Sequence, residues 1–89
     1  MNAKSIGTAR SDPLRLALLR RLQQFPRVPV TVTDLPGFAP KDIQDEIARS
    51  ADEDLIEARI LRDGAAGIAA AVALRLTARG SQWLRRNAS

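Results

Sequence analysis

Apolar residues recur at helical spacing early in the chain. Leu14, Leu18, Leu22 and Phe25 stand three or four residues apart, and Leu16 and Leu19 widen the same stripe. Asp12-Pro13 directly ahead supplies a capping carboxylate and a first-turn proline, so the pattern predicts a helix from there to about Gln24, ended by Pro26. Val28, Val30 and Val32 then alternate with Pro29, Thr31 and Thr33, which predicts a short strand. Pro29 cannot donate to a ladder, so that strand belongs at an edge. Leu35-Pro36-Gly37-Phe38 has Pro and Gly at the two central positions that a type II turn prefers.

A second helix is predicted from Pro40. Ile43, Ile47 and Ala51 form an i, i+4 stripe with Ala48 beside it, Asp42 sits in the first turn, and the helix ends around Asp52 to Asp54. Its cap residue, Ala39, is a poor one. From Leu55 to Leu61 the period changes to two: Ile56, Ala58 and Ile60 face one way, Glu57 and Arg59 the other. Arg62-Asp63-Gly64 marks a turn. Ile68, Ala70, Val72, Leu74 and Leu76 then fall on even positions, which predicts a second strand. Ile68, Val72 and Leu76 also sit at i, i+4 and alanine favours helix, so local pattern alone leaves the helix open. The strand is adopted partly on the resemblance given below. Thr77 caps a last helix, Ala78 to Arg86, with Trp83 and Leu84 on its apolar side and Gly80 in its first turn, where a close approach is allowed. Met1 to Arg10 carries no apolar period and reads as a disordered tail, leaving residues 11–89 as one domain.

The expected order is helix, strand, helix, strand, strand, helix, an α+β fold of three helices and a small antiparallel sheet. Two segments carry a resemblance. Asp54-Leu55-Ile56-Glu57-Ala58 resembles the run leading from a recognition helix into a β-hairpin wing, and Leu76-Thr77-Ala78-Arg79-Gly80-Ser81-Gln82-Trp83-Leu84 resembles the run that ends such a wing and opens the next helix. With Gly37-Phe38 ahead of the second helix, the chain resembles winged helix-turn-helix domains over residues 12–87, and within them a small uncharacterised bacterial and prophage family. The likeness implies a winged-helix fold and, through that fold, binding of double-stranded DNA as a small transcriptional regulator. Asp54 departs from the family's usual Gly, but Asp tolerates a left-handed backbone. Ala39 stands where a capping Ser is usual, and Arg49 where an apolar residue is.

Composition narrows the chemistry. The 89 residues hold no His, no Cys and no Tyr. That removes the usual general base, thiolate nucleophile, disulfides and the common zinc ligands. Ser and Thr have no His to form a triad with, Gly64-Ala65-Ala66-Gly67 lacks the Lys and Ser/Thr of a phosphate loop, and Asp42, Asp45 and Glu46 read as a solvated acidic helix face rather than ligands. No enzymatic activity, metal or cofactor is expected. No apolar run is long enough for a membrane span, and a small disulfide-free domain suits the cytoplasm. The core must come from aliphatic residues with Phe25, Phe38 and Trp83, because 15 alanines stand against 23 Leu, Ile, Val and Phe.

Charge changes the picture most. The net +4 divides into +5 over residues 1–27, −6 over 28–58 and +5 over 59–89. A helix placed in the major groove approaches phosphates on both sides, yet the second helix region is the acidic part. The candidate nucleic-acid contacts are therefore Lys41, Gln44 and Arg49 on that helix and, with more weight, Arg59, Arg62, Arg75 and Arg79 on the wing or at its root. Arg15, Arg20 and Arg21 on the first helix add to the basic surface. Two readings stay open: DNA binding led by the wing, or a protein-interaction or dimerisation module that joins a second copy or a charged partner through complementary fields.

Overall fold

The computed structural model describes the backbone of residues 3–64 and 67–87 and the side chains from residue 13 onward. Residues 1–2, 65–66 and 88–89 lie outside that description, as do the side chains of residues 3–12, which include the rest of the expected tail. The elements are α1 (Ala3–Gln24), α2 (Pro40–Asp52), β1 (Ile56–Asp63), β2 (Gly67–Leu76) and α3 (Ala78–Asn87). The order α-α-β-β-α, with one antiparallel two-stranded sheet, is a winged-helix-like α+β fold.

Helix α1 ends at Gln24 as the pattern predicts, but it starts at Ala3, well upstream of Asp12-Pro13. Pro13 is inside the helix rather than at its first turn and leaves the Ala9 carbonyl without its usual donor. Leu14, Leu18, Leu19 and Leu22 are buried, and they meet Ile43 and Ile47 of α2, Val30, Leu35, Leu55, Ile56, Ala71, Ala73 and Leu84 in one core. Phe25 is not part of it: its side chain is 50% exposed and lies against the Arg21 guanidinium.

The strand expected at Val28–Thr33 contracts to a single bridge, Val30 to Ala73, closed by two backbone hydrogen bonds of 2.8 and 3.0 Å. The neighbours explain the contraction. The Val28 N–H, which the ladder would need, donates instead to the Phe25 carbonyl at 3.0 Å, and beyond Val30 the chain turns: Asp34 N–H donates to the Thr31 carbonyl and Thr31 N–H to the Asp34 carboxylate at 2.7 Å. This local turn outcompetes the ladder. The same bond holds the Asp34 carboxyl below the usual aspartate range. The turn at Leu35–Phe38 forms as expected, with Gly37 at φ +94° and Phe38 N–H on the Leu35 carbonyl.

Both wing strands exist, and Ile56, Ala58 and Ile60 turn toward the core as their alternation predicts. Strand β2 departs from the expected even-numbered face. Its partners on β1 jump from Arg75 to Ala73 and from Ala70 to Ile68, so Leu74 and Ala69 are extra residues in two β-bulges. Each bulge flips the faces. The core-facing set becomes Ile68, Ala71, Ala73 and Leu76, while Ala70 is exposed.

The two family-like segments meet in space and explain each other. Asp54 follows α2 at φ 62°, and the Leu55 and Asp54 N–H groups return to the Ser50 and Ala51 carbonyls, a Schellman ending with Asp where Gly is usual. Thr77 then bridges the elements: its hydroxyl donates to the Asp54 carbonyl and accepts from the Gly80 N–H, capping α3. Gly80 sits so tightly on this junction that a Cβ there would stand 2.0 Å from the Leu55 carbonyl oxygen. The motif residues thus join the end of α2, the root of the wing and the start of α3.

Candidate nucleic-acid interface

The structure divides the seven candidate residues among four places. Lys41 and Gln44, from the first turns of α2, face Arg62 of β1 across a cleft of about 580 Å³, closed by Asp45, Gly64, Gly67 and Ile68. Lys41 and Arg62 are exposed, and neither makes an ion pair with any described residue. Ala39 makes no side-chain cap bond, and Asp42 stands in the first turn of the helix.

Arg59 and Arg75 lie along the wing. Arg75 pairs with Glu57 at 3.3 Å in an exposed cross-strand contact, which takes it partly out of the free basic surface. Arg59 lines a shallower groove of about 360 Å³ with Leu61, Ala70 and Val72 on the outer face of the sheet, where Leu61 is 64% exposed. Arg79 is remote from both, in the first turn of α3, and Arg49 points outward from α2, 3.7 Å from Glu46.

The largest correction concerns Arg15 and Glu46. The first was expected on the basic surface of α1 and the second on the solvated acidic face of α2. Both are buried, Glu46 at 2% exposure. Arg15 Nε donates to Glu46 Oε2 at 2.7 Å, and its two terminal nitrogens donate to the Glu53 carboxylate at 2.9 and 3.0 Å. Ser50 Oγ adds a 2.7 Å bond to Glu46 Oε2. No buried side-chain polar atom among the described residues is left without a partner. Burial works against the Arg15 charge, but the bonds to Glu53 and Glu46 outweigh it and raise its pKa above the usual arginine value. The helical wheel carries the missed signal: Glu46 adjoins Ile43 and Ile47, inside the apolar stripe, and Arg15 follows Leu14 directly.

This network alters the electrostatics of α2. Glu46 and Glu53 are held by Arg15, so the free acid on the outer side of the helix region is Asp42, Asp45, Asp52 and Asp54. The bidentate bond from Arg15 holds the Glu53 carboxyl below the usual glutamate value. A depressed acid contributes stability that is complete above its unfolded pKa, about 4.3, and is lost as pH falls through the lower folded value. Urea unfolding against pH is therefore expected to show a flat stability from neutrality to about pH 5 and a decline below about pH 4. Glu53→Gln should flatten that decline, and an unchanged pH profile in this variant would contradict the assignment.

Trp83, expected in the core, is half-buried: it packs against the core, lies 5.8 Å from the Arg15 guanidinium, and borders a cleft on α3. Among the described residues no helix is long and apolar enough to cross a membrane. Nor does any group of three or more Asp or Glu among them stand ready to hold a metal ion. No family model, curated protein or solved structure matches the chain.

Proposed function

We propose that the protein binds double-stranded DNA, with the wing tip and the N-terminal end of α2 as the contact surface and the phosphate backbone as the main target. One observation carries this reading: Lys41 and Gln44 of α2 and Arg62 of β1 line a single cleft, while Arg15 draws Glu46 away from the outer side of the same helix. Two unpaired cations attract anions at this end of α2, opposed in part by Asp42 in its first turn. Asp45 on the cleft wall opposes a phosphate but suits a cytosine amino group, so it favours a shallow contact over deep insertion of α2. The winged-helix-like order supports the reading as fold analogy, and membership of the winged helix-turn-helix superfamily, in a small bacterial regulator, is part of the proposal.

Titration of isotope-labelled protein with mixed-sequence duplex is expected to shift the resonances of Lys41, Gln44 and Arg62 first. Affinity should fall steeply with salt, and the Lys41→Ala/Arg62→Ala variant should bind more weakly, with a salt slope reduced by roughly two. An absence of shifts at low salt defeats the proposal.

The second reading, a protein-interaction or dimerisation module, is favoured by a different feature: Leu61, Ala70 and Val72 place apolar surface on the outer face of the wing. Its check is mass in solution. A strict monomer that is unchanged by Leu61→Lys counts against it.

A further inference from the structure

A second cleft lies at the other end of α2, on the side of α3. Arg79, Gln82, Trp83 and Arg86 are spaced i, i+3, i+4 and i+7, so one face of α3 presents all four. With Glu53 and Leu55 they line a space of about 520 Å³, within the range that holds small ligands. The chemistry of the wall is distinctive. Arg79 and Arg86 have no acidic partner among the described residues. The one acid on the wall, Glu53, already gives both of its oxygens to Arg15. The indole between the two arginines has the Arg15 guanidinium 5.8 Å from its ring centroid.

Such a wall has anion-binding capacity left over. Guanidinium groups take phosphate oxygens in pairs of parallel hydrogen bonds, and their charge is not discharged by neighbours here. Indole rings stack on nucleobases whatever the base, and a half-buried indole is held in place while it does so. The Gln82 amide, with a donor and an acceptor, stands on the same face for a sugar hydroxyl or a base edge. A carboxylate ligand would satisfy the arginines but leave the indole unused, and an apolar ligand would leave two desolvated cations without partners.

We infer that the α3 cleft binds a nucleoside phosphate, with Arg79 and Arg86 taking the phosphate and Trp83 meeting the base. The site is distinct from the helix–wing cleft, so it stands or falls independently of duplex binding. Trp83 is the sole Trp and the chain has no Tyr, so its emission reports the cleft without a label. The experiment follows that emission while the full chain is titrated, at constant ionic strength, with adenosine 5′-monophosphate, adenosine and inorganic phosphate. Saturable quenching by the nucleotide is expected, with adenosine and inorganic phosphate each binding at least about tenfold more weakly because each keeps only half of the contacts. Arg79→Ala/Arg86→Ala should weaken nucleotide binding at least about tenfold with unchanged circular dichroism, and the Lys pair, which keeps the charge but loses the planar fork, should also weaken it. Lys41→Ala/Arg62→Ala should leave it intact. The inference is overturned if no saturable change occurs up to millimolar nucleotide. It is equally overturned if sulfate at matched ionic strength gives the same response, if adenosine or phosphate alone binds as tightly as the nucleotide, or if both arginine variants retain binding.

Discussion

Arg15→Met is expected to destabilise the protein by about 3–5 kcal/mol, a large share of what a small domain has. The reason is what the substitution leaves behind. Glu46 is 2% exposed, and Arg15 supplies the close cation that makes its burial tolerable. Arg49, 3.7 Å away and more than half exposed, is a poor substitute. Ser50 offers one hydrogen bond but no charge. A carboxylate stranded in an apolar site costs far more than the net worth of the ion pair, because pairing mainly offsets desolvation. The double variant Arg15→Met/Glu46→Met should therefore recover at least half of the loss, since removing both charges removes the penalty with them. Ser50 can then turn to the carbonyl four residues back. Urea denaturation of the two variants, followed by circular dichroism, measures both quantities. A loss below about 1 kcal/mol for the single variant, or no recovery in the double, would sink this account of the network.

Gly80→Ala is expected to cost about 3 kcal/mol, the upper part of the range for forcing extra volume into a packed site. The added methyl would stand 2.0 Å from the Leu55 carbonyl oxygen and 2.9 Å from the Leu76 side chain. Leu76 can rotate away. The Leu55 carbonyl cannot, because it accepts the Thr77 N–H that joins wing to α3. Relief therefore requires separating α3 from the wing root, which also pulls on the Thr77 cap. Gly67→Ala is the control: nothing lies within 4 Å of a Cβ there and its φ is ordinary, so stability should stay within about 0.5 kcal/mol or rise slightly. Thermal melts of the two variants distinguish a steric junction from a general intolerance of glycine replacement. Equal effects at the two positions would refute the junction.

Much of the architecture was legible along the chain, and the legible parts share a cause. Helix α2 begins at Pro40 and ends at Asp52, α3 begins after Thr77, and the β1 face of Ile56, Ala58 and Ile60 turns inward. Each of these is set by residues within one or two turns of each other: a proline, a cap, an unbroken period. The left-handed backbone at Asp54 and the tight seat of Gly80 were likewise visible as single residues in short segments. The failures have the opposite character. The Val28–Thr33 alternation is as clean as that of β1, yet the Val28 amide goes to the Phe25 carbonyl and the chain turns at Thr31–Asp34, so one bridge remains. The even-numbered apolar set in β2 is real, but two bulges divide it between faces, and a bulge depends on how the partner strand is held rather than on the bulged strand alone.

What the sequence determined by itself is the extent of α2, the inward face of β1, the start of α3 and the turn residues between them, together with the residue types, His and Cys, that the chemistry must do without. Tertiary structure alone decided the meaning of the charges. Two of the eight acids between residues 28 and 58 are held by one arginine of α1, more than 30 positions earlier. Lys41 meets Arg62 across a cleft, and the face of α3 that carries Arg79, Trp83 and Arg86 meets Glu53 and Leu55 across another. Charge acts through distance and dielectric, and neither can be read from spacing along a chain. A helix that counts as acidic in sequence presents a mixed surface once Glu46 has been taken inside.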